Sequence, residues 1–173
     1  LDYKSFKTKD MKKIIKIGKV KENFGWMGNM GKREIMYKGK KWNSSEGVFI
    51  SMRFDDEEII EELRKNDNGG MRVKMISKKY RDKMVIERCS SEDVENMRKV
   101  VKLKYDSFEF MRKGLGKLNE MYDLFIYEDV SNRKRGNNLF WGGYFDEDGS
   151  FKGENMLGKI WMEIIKNNEL NKN

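Results

Sequence analysis

The sequence of 173 residues has no histidine, no proline and a single cysteine, Cys89. Without histidine, serine or cysteine triads that rely on an imidazole base are excluded, and so are histidine metal ligands. One cysteine allows neither an internal disulfide nor a cysteine-rich zinc cluster, which fits a reducing compartment. No apolar run approaches the roughly 20 residues of a membrane-spanning helix. The opening L-D-Y-K-S-F-K-T-K-D is too charged for a secretory h-region. The expectation is a soluble cytoplasmic protein that needs neither metal nor cofactor. Its acids, bases and nucleophiles must come from Glu, Asp, Lys, Tyr or Cys. The lack of proline, together with abundant Lys, Asn, Ile and Met, hints at AT-rich coding, as in a phage or an AT-rich bacterium; a phage protein would work in the host cytoplasm.

What is present is charge. There are 37 Lys and Arg against 29 Asp and Glu, a formal net of +8. Such a surplus attracts phosphate, in nucleic acid or in a dinucleotide, but carries no sequence specificity. The acidic residues are interspersed, so a solvated lysine surface is the plainer alternative. The length suits one compact domain over 12–173, preceded by a charged, mobile lead-in over 1–11.

Along the chain, Ile14, Ile15, Ile17 and Val20 mark a short strand. Phe24 to Gly31 reads F-G-W-M-G-N-M-G, where glycines permit close backbone approach and Trp26 offers a stacking face. Glu34 to Lys38 reads as a strand and Gly39 as a turn. Asp55 to Lys65 is an amphipathic helix opened by D-D-E-E. Asn66 to Gly70 is a turn, and Met71 to Tyr80 a short helix. A long helix starts after Ser90, with Val94, Met97, Val101, Tyr105, Phe108 and Met111 on one stripe, and Gly114 and Gly116 are expected to break it. Leu124 to Tyr127 suits a buried strand, Ser131 to Asn138 a basic loop, and Asn155 to Ile165 a last helix. Helices with a few strands and no βαβ rhythm predict an α+β domain, mainly helical with a small sheet.

Two stretches concentrate chemistry. Trp42 to Phe54 reads W-N-S-S-E-G-V-F-I-S-M-R-F. Asn43, Ser44 and Ser45 favour a helix N-terminus, with Glu46 in the first turn and Val48, Phe49 and Met52 on a buried face. Glu46 stands at the mouth of that face, either as a plain structural cap or as a working carboxylate. Asn138 to Gly143 reads N-L-F-W-G-G and Gly153 to Gly158 reads G-E-N-M-L-G. A tryptophan between glycines, followed by an asparagine at a helix start, suits a base and a phosphate.

These segments, in this order, resemble the NADAR family of YbiA-like proteins, named for links to NAD and ADP-ribose. The matching pieces are G-W-M-G-N-M from Gly25, the segment from Trp42 to Phe54, Met97 with Lys104-Tyr105, Asn138 to Gly142, and Gly153 to Gly158. Departures are Gly28, Arg53, Cys89 and Asn138, where the family usually has serine, lysine, tryptophan and an acid. Glu128 or Asp129 would stand in for the family's acidic residue after the strand, although a longer loop intervenes.

The resemblance implies a YbiA-like fold and hydrolysis of an N-glycosidic bond. Its broadest expectation is an ADP-ribosyl glycohydrolase that removes ADP-ribose from a modified nucleobase in DNA or a nucleotide. It would thereby reverse the mark of a DarT-type toxin, in a phage as an anti-defence factor. The alternatives are an N-glycosidase of phosphoribosylated riboflavin-pathway intermediates and a module that binds ADP-ribose without cleaving it. By the same resemblance Glu46 is the base or cation stabiliser, and Lys104 a candidate Schiff-base amine. Trp26 and Trp141 would stack on rings. Gly28, Asn29, Trp42, Ser45, Phe49, Asn138, Gly142, Asn155 and Gly158 would shape the substrate site. The basic Arg133, Lys134 and Arg135 would follow a phosphodiester backbone.

Overall fold

The computed structural model describes residues 11–172. The expected lead-in therefore lies, but for Met11, outside the described residues. Strand β1 (Lys12–Ile17) pairs in parallel with β4 (Asp123–Glu128), Ile15 opposite Ile126. The alternation in β1 is period two: Ile15 and Ile17 are buried while Ile14 and Lys16 face out. Two small antiparallel pairs flank this unit, β2 (Ile35–Tyr37) with β3 (Lys40–Trp42), and β5 (Tyr144–Phe145) with β6 (Phe151–Lys152). The turn between β2 and β3 uses Lys38 and Gly39, both at positive φ.

Among the described residues seven α-helices surround the strands. Helix α1 (Ser45–Ser51) is short and sits between α2 (Glu57–Lys65), α3 (Gly70–Ser77) and α4 (Ser91–Ser107). Helix α5 (Glu109–Met121) follows α4, α6 (Asn137–Trp141) precedes β5, and α7 (Met156–Leu170) lies across β4 and also packs on α4 and α5. The result is the expected α+β domain, mainly helical with small sheets. Among the described residues no helix is long and apolar enough to cross a membrane.

Three local expectations need correction. Helix α1 is enclosed almost all round, with Ser45, Gly47, Val48, Phe49, Ile50 and Ser51 all buried, not along one face. Its small residues allow this: a Cβ on Gly47 would come within 2.6 Å of the Asp67 carboxylate. Gly114 and Gly116 lie inside α5, and the long helix breaks instead at Phe108, whose backbone is extended (φ −122°, ψ 106°). Burial of Met111 and Leu115 on α5 and of Tyr105 on α4 repays that break. Finally, Lys40–Trp42 forms a strand where only a lead-in to α1 was expected.

Candidate active site

Helix α1 is held by its first turn. Ser44 is the N-cap, its Oγ accepting from Gly47 N at 3.0 Å. That hydroxyl donates in turn to the buried Asp67 carboxylate at 2.7 Å. Asp67 also accepts from the backbone N–H of Asn43 (2.9 Å), Ser44 (2.8 Å) and Gly69 (3.2 Å). One carboxylate thus ties the start of α1 to the loop before α3. The backbone N–H of Glu46 donates to Asn29 O at 3.0 Å, and Gly70 N to Met30 O at 3.0 Å. A Cβ on Gly70 would meet Glu46 Cβ at 2.6 Å, so glycine there leaves room for the glutamate stem.

The side chain so placed opens into a cleft. Its apolar lining is Met30, Phe49, Ile50, Met97, Trp141 and Leu157. Its polar lining is Asn29, Glu46, Arg53, Lys74, Arg88, Glu128, Arg133, Asn137 and Asn138. Trp141, from α6, stands edge-on to Phe49, ring centroids 5.6 Å apart. Residues 92 positions apart in the chain therefore share one wall.

The cleft brings two carboxyl groups together. Burial pushes the Glu46 carboxyl above the usual range, opposed by Lys74, Arg53 and Arg133 and reinforced by Asp93. Burial also raises Glu128, opposed by Arg133, whose guanidinium donates to it at 3.0 Å, and reinforced by Glu46. Like charges in one cleft resist joint ionisation, so the pair holds a proton above ordinary carboxylate pH. Arg53 is fixed by a bidentate bond to the fully buried Asp93, at 2.8 and 2.9 Å, and lies over the Phe49 ring at 4.4 Å. Lys74 and Arg88 form no ion pair among the described residues and are both half-buried.

Of the residues singled out from the sequence, Asn29, Glu46, Phe49, Arg133, Asn138 and Trp141 line the cleft. Lys104 is buried on α4 with its amine turned inward. Its Nζ donates to the Gly28 carbonyl and lies 3.5 Å from Ser45 Oγ, behind the cleft wall and not on it. Burial, aided by Arg33, lowers its pKa to about 7, with Glu46 acting the other way. Gly28 and Ser45 thus serve the lysine; the Ser45 hydroxyl donates to Asn29 Oδ1 at 2.9 Å.

The others stand elsewhere. Trp26 packs edge-on against Phe110 at 5.3 Å, on a separate aromatic cluster. Trp42 is core, 2% exposed. Asn155, at φ 53°, donates from Nδ2 to Ile126 O at 2.8 Å, and a Cβ on Gly158 would fall 2.0 Å from that same carbonyl. The G-E-N-M-L-G segment therefore seats α7 against β4, and a side chain on Gly142 would strike Glu128 O at 2.5 Å. In the basic loop Lys134 lies over the Tyr144 ring at 4.2 Å, while Arg135 is exposed. Of the two acids considered as stand-ins, Glu128 lines the cleft, whereas Asp129 caps the next turn through Ser131. Sequence reasoning missed Lys74 and Arg88. Both sit in lysine- and arginine-rich stretches where nothing marks a cation as turned inward.

Among the described residues no group of three His, Cys, Asp or Glu side chains is placed to hold a metal ion. No protein-family model matches the chain. It is 26% identical over 156 residues to the N-glycosidase YbiA of Shigella flexneri and to that of Escherichia coli strain K12, covering 87% of this chain and 86% of each relative. The NMR structure of Escherichia coli YbiA matches with a TM-score of 0.72 at 24% identity, over 94% of this chain and 88% of that one. The chain is YbiA-like in sequence and in fold.

Proposed function

We propose that this YbiA-like chain is an N-glycosidase, and that its substrate is a nucleobase carrying ADP-ribose, most naturally in DNA. The observation that supports this is one cleft in which two carboxyl groups of raised pKa, an indole and two cations without an ion pair among the described residues converge. Breaking the C1′–N bond leaves its electron pair on the base and positive charge on the ribosyl ring. The departing nitrogen needs a proton, the ring needs a nearby anion, and water must lose a proton as it adds to C1′.

In this reading Glu128 delivers the proton to the leaving base. Glu46, as carboxylate, stabilises the ribosyl cation and then takes the proton of the attacking water. Trp141 stacks on a flat ring, Asn29 and Asn138 orient hydroxyls, and Lys74 and Arg88 meet phosphate. No metal or cofactor enters the scheme. In a phage such an activity would erase a toxin's mark on DNA. That purpose, and the DNA substrate, draw on family analogy.

Release of ADP-ribose from an ADP-ribosylated oligonucleotide is the expected assay result. Turnover of a free phosphoribosylated pyrimidine with none on the oligonucleotide would move the assignment to the metabolite enzyme. Tight ADP-ribose binding without turnover on either would leave a binding module.

A second route is favoured by one observation, the buried Lys104 amine with its pKa near 7. A neutral amine can attack C1′ and displace the base, which leaves with the bond's electron pair and takes a proton; the ribosyl ring then opens to a Schiff base, and water hydrolyses it to release the sugar aldehyde and restore the lysine. This requires Nζ to leave the Gly28 carbonyl and pass Ser45. Borohydride added during turnover is then expected to leave a reduced ribosyl adduct on Lys104, absent in Lys104→Met. Turnover without any adduct leaves the two-carboxylate route.

A further inference from the structure

The cleft continues past Arg88. A second groove, along Arg81, Met84, Ile86 and Glu87, meets it and shares Arg88 and Asn137 with it. Cleft and groove adjoin at these two residues and are together termed the channel. Arg81 and Arg88 form no ion pair among the described residues, and Glu87 forms none either. Burial and the like charges of Arg53 and Arg81 hold the Arg88 pKa down, and the one carboxylate acting on it the other way, Asp93, is already gripped by Arg53. A half-buried guanidinium facing other guanidinium groups is poorly neutralised from within. A bound anion relieves that repulsion and forms charge-assisted hydrogen bonds. The basic loop is less suited to this task, because Arg133 is held on Glu128 and Lys134 lies over Tyr144.

We propose that Arg81 and Arg88 bind a second phosphate, covalently joined to the ribosyl unit in the cleft, so that the channel selects substrates with at least two phosphates. This rests on the reading of the cleft as a ribosyl site. The second phosphate belongs either to the diphosphate of a nucleotide sugar or to a phosphodiester of the modified strand. Both have the same chemistry at Arg81.

Calorimetric titrations of ribose 5-phosphate, ADP-ribose, a short oligonucleotide and inorganic pyrophosphate into wild type and Arg81→Ala separate the cases. Arg81 is exposed, so the variant should fold. The expected result is that Arg81→Ala weakens ADP-ribose at least about tenfold more than ribose 5-phosphate. If the loss falls on the oligonucleotide instead, with a salt slope smaller by about one, the phosphate is a phosphodiester and the proposal stands. Equal weakening of every ligand, or of none, overturns it. Should wild type bind no ribosyl ligand, the cleft reading has failed. Pyrophosphate affinity equal in wild type and Arg81→Ala would then overturn the groove separately.

Discussion

Glu46→Gln is expected to lower kcat by about 10²–10³-fold on an ADP-ribosylated oligonucleotide, with the affinity for ADP-ribose within a few-fold of wild type. The amide keeps the shape of the carboxylate and its place in the cleft with Lys74 and Arg53, but it cannot carry the negative charge that stabilises the ribosyl cation. The loss should appear in kcat more than in KM, because the charge acts on a cation present only near the transition state. Wild-type kcat should climb as pH rises through the raised Glu46 pKa and fall again as Glu128 gives up its proton. Full activity in Glu46→Gln would remove Glu46 from the chemistry.

The same variant should be more stable than wild type near neutral pH. Burial raises the Glu46 pKa in the folded state, so the folded chain keeps a proton that the unfolded chain has released. That contribution to stability is complete below the ordinary carboxylate pKa and disappears as pH rises through the raised one. Glutamine has no proton to lose. Thermal melts should therefore show Glu46→Gln above wild type at neutral pH, with the gap closing in acid. Activity and stability would then move in opposite directions at one position, which a merely structural cap would not do.

The second large effect is expected at Asp93. Asp93→Asn leaves the Arg53 guanidinium, 7% exposed, without its bidentate partner and takes an acceptor from Cys89 N, now bonded at 2.9 Å. Breaking a buried pair from one side costs about 3–5 kcal/mol. For a chain of this size that corresponds to a fall in Tm of about 6–20 °C. Removing this negative charge also frees Arg53 to act on Glu46, so the acid limb of the rate profile should move to lower pH. A melt within 2 °C of wild type, with an unmoved limb (both about the error of such fits), would mean that the pair neither braces the cleft nor tunes it.

The start of α1 was legible because N-S-S-E is a local signal: the cap, the first-turn acid and the buried Val48 and Phe49 all act within one turn. Trp141 was legible for a different reason, its setting between asparagine and glycine in a motif. The stripe on α4 was also readable, whereas a lysine beside such a stripe can equally snorkel to solvent, so the burial of Lys104 was not. What the sequence could not show was long-range partnership. Nothing in S-M-R-F says that Arg53 will meet Asp93, and nothing in N-D-N-G-G says that Asp67 will grip the start of α1. Charge runs conceal their inward members: Lys74 and Arg88 reach the cleft, while Lys134 and Arg135, in a stretch that looked more purposeful, do not. Asn155 and Gly158 looked like ligand-binding residues because an asparagine at a positive φ and a glycine under a carbonyl solve a packing problem with the same residues a nucleotide loop uses.

The enclosure of α1 has a mechanical consequence. Its amides can exchange with solvent only when neighbouring helices separate, so the floor that carries Glu46 belongs to the slowest-opening part of the molecule. The rim formed by the exposed stretch 131–137 is far less enclosed, tied back to the cleft by Arg133 on Glu128. Adaptation to substrates of different bulk therefore falls to the rim, while the carboxylate keeps its position as the guest changes.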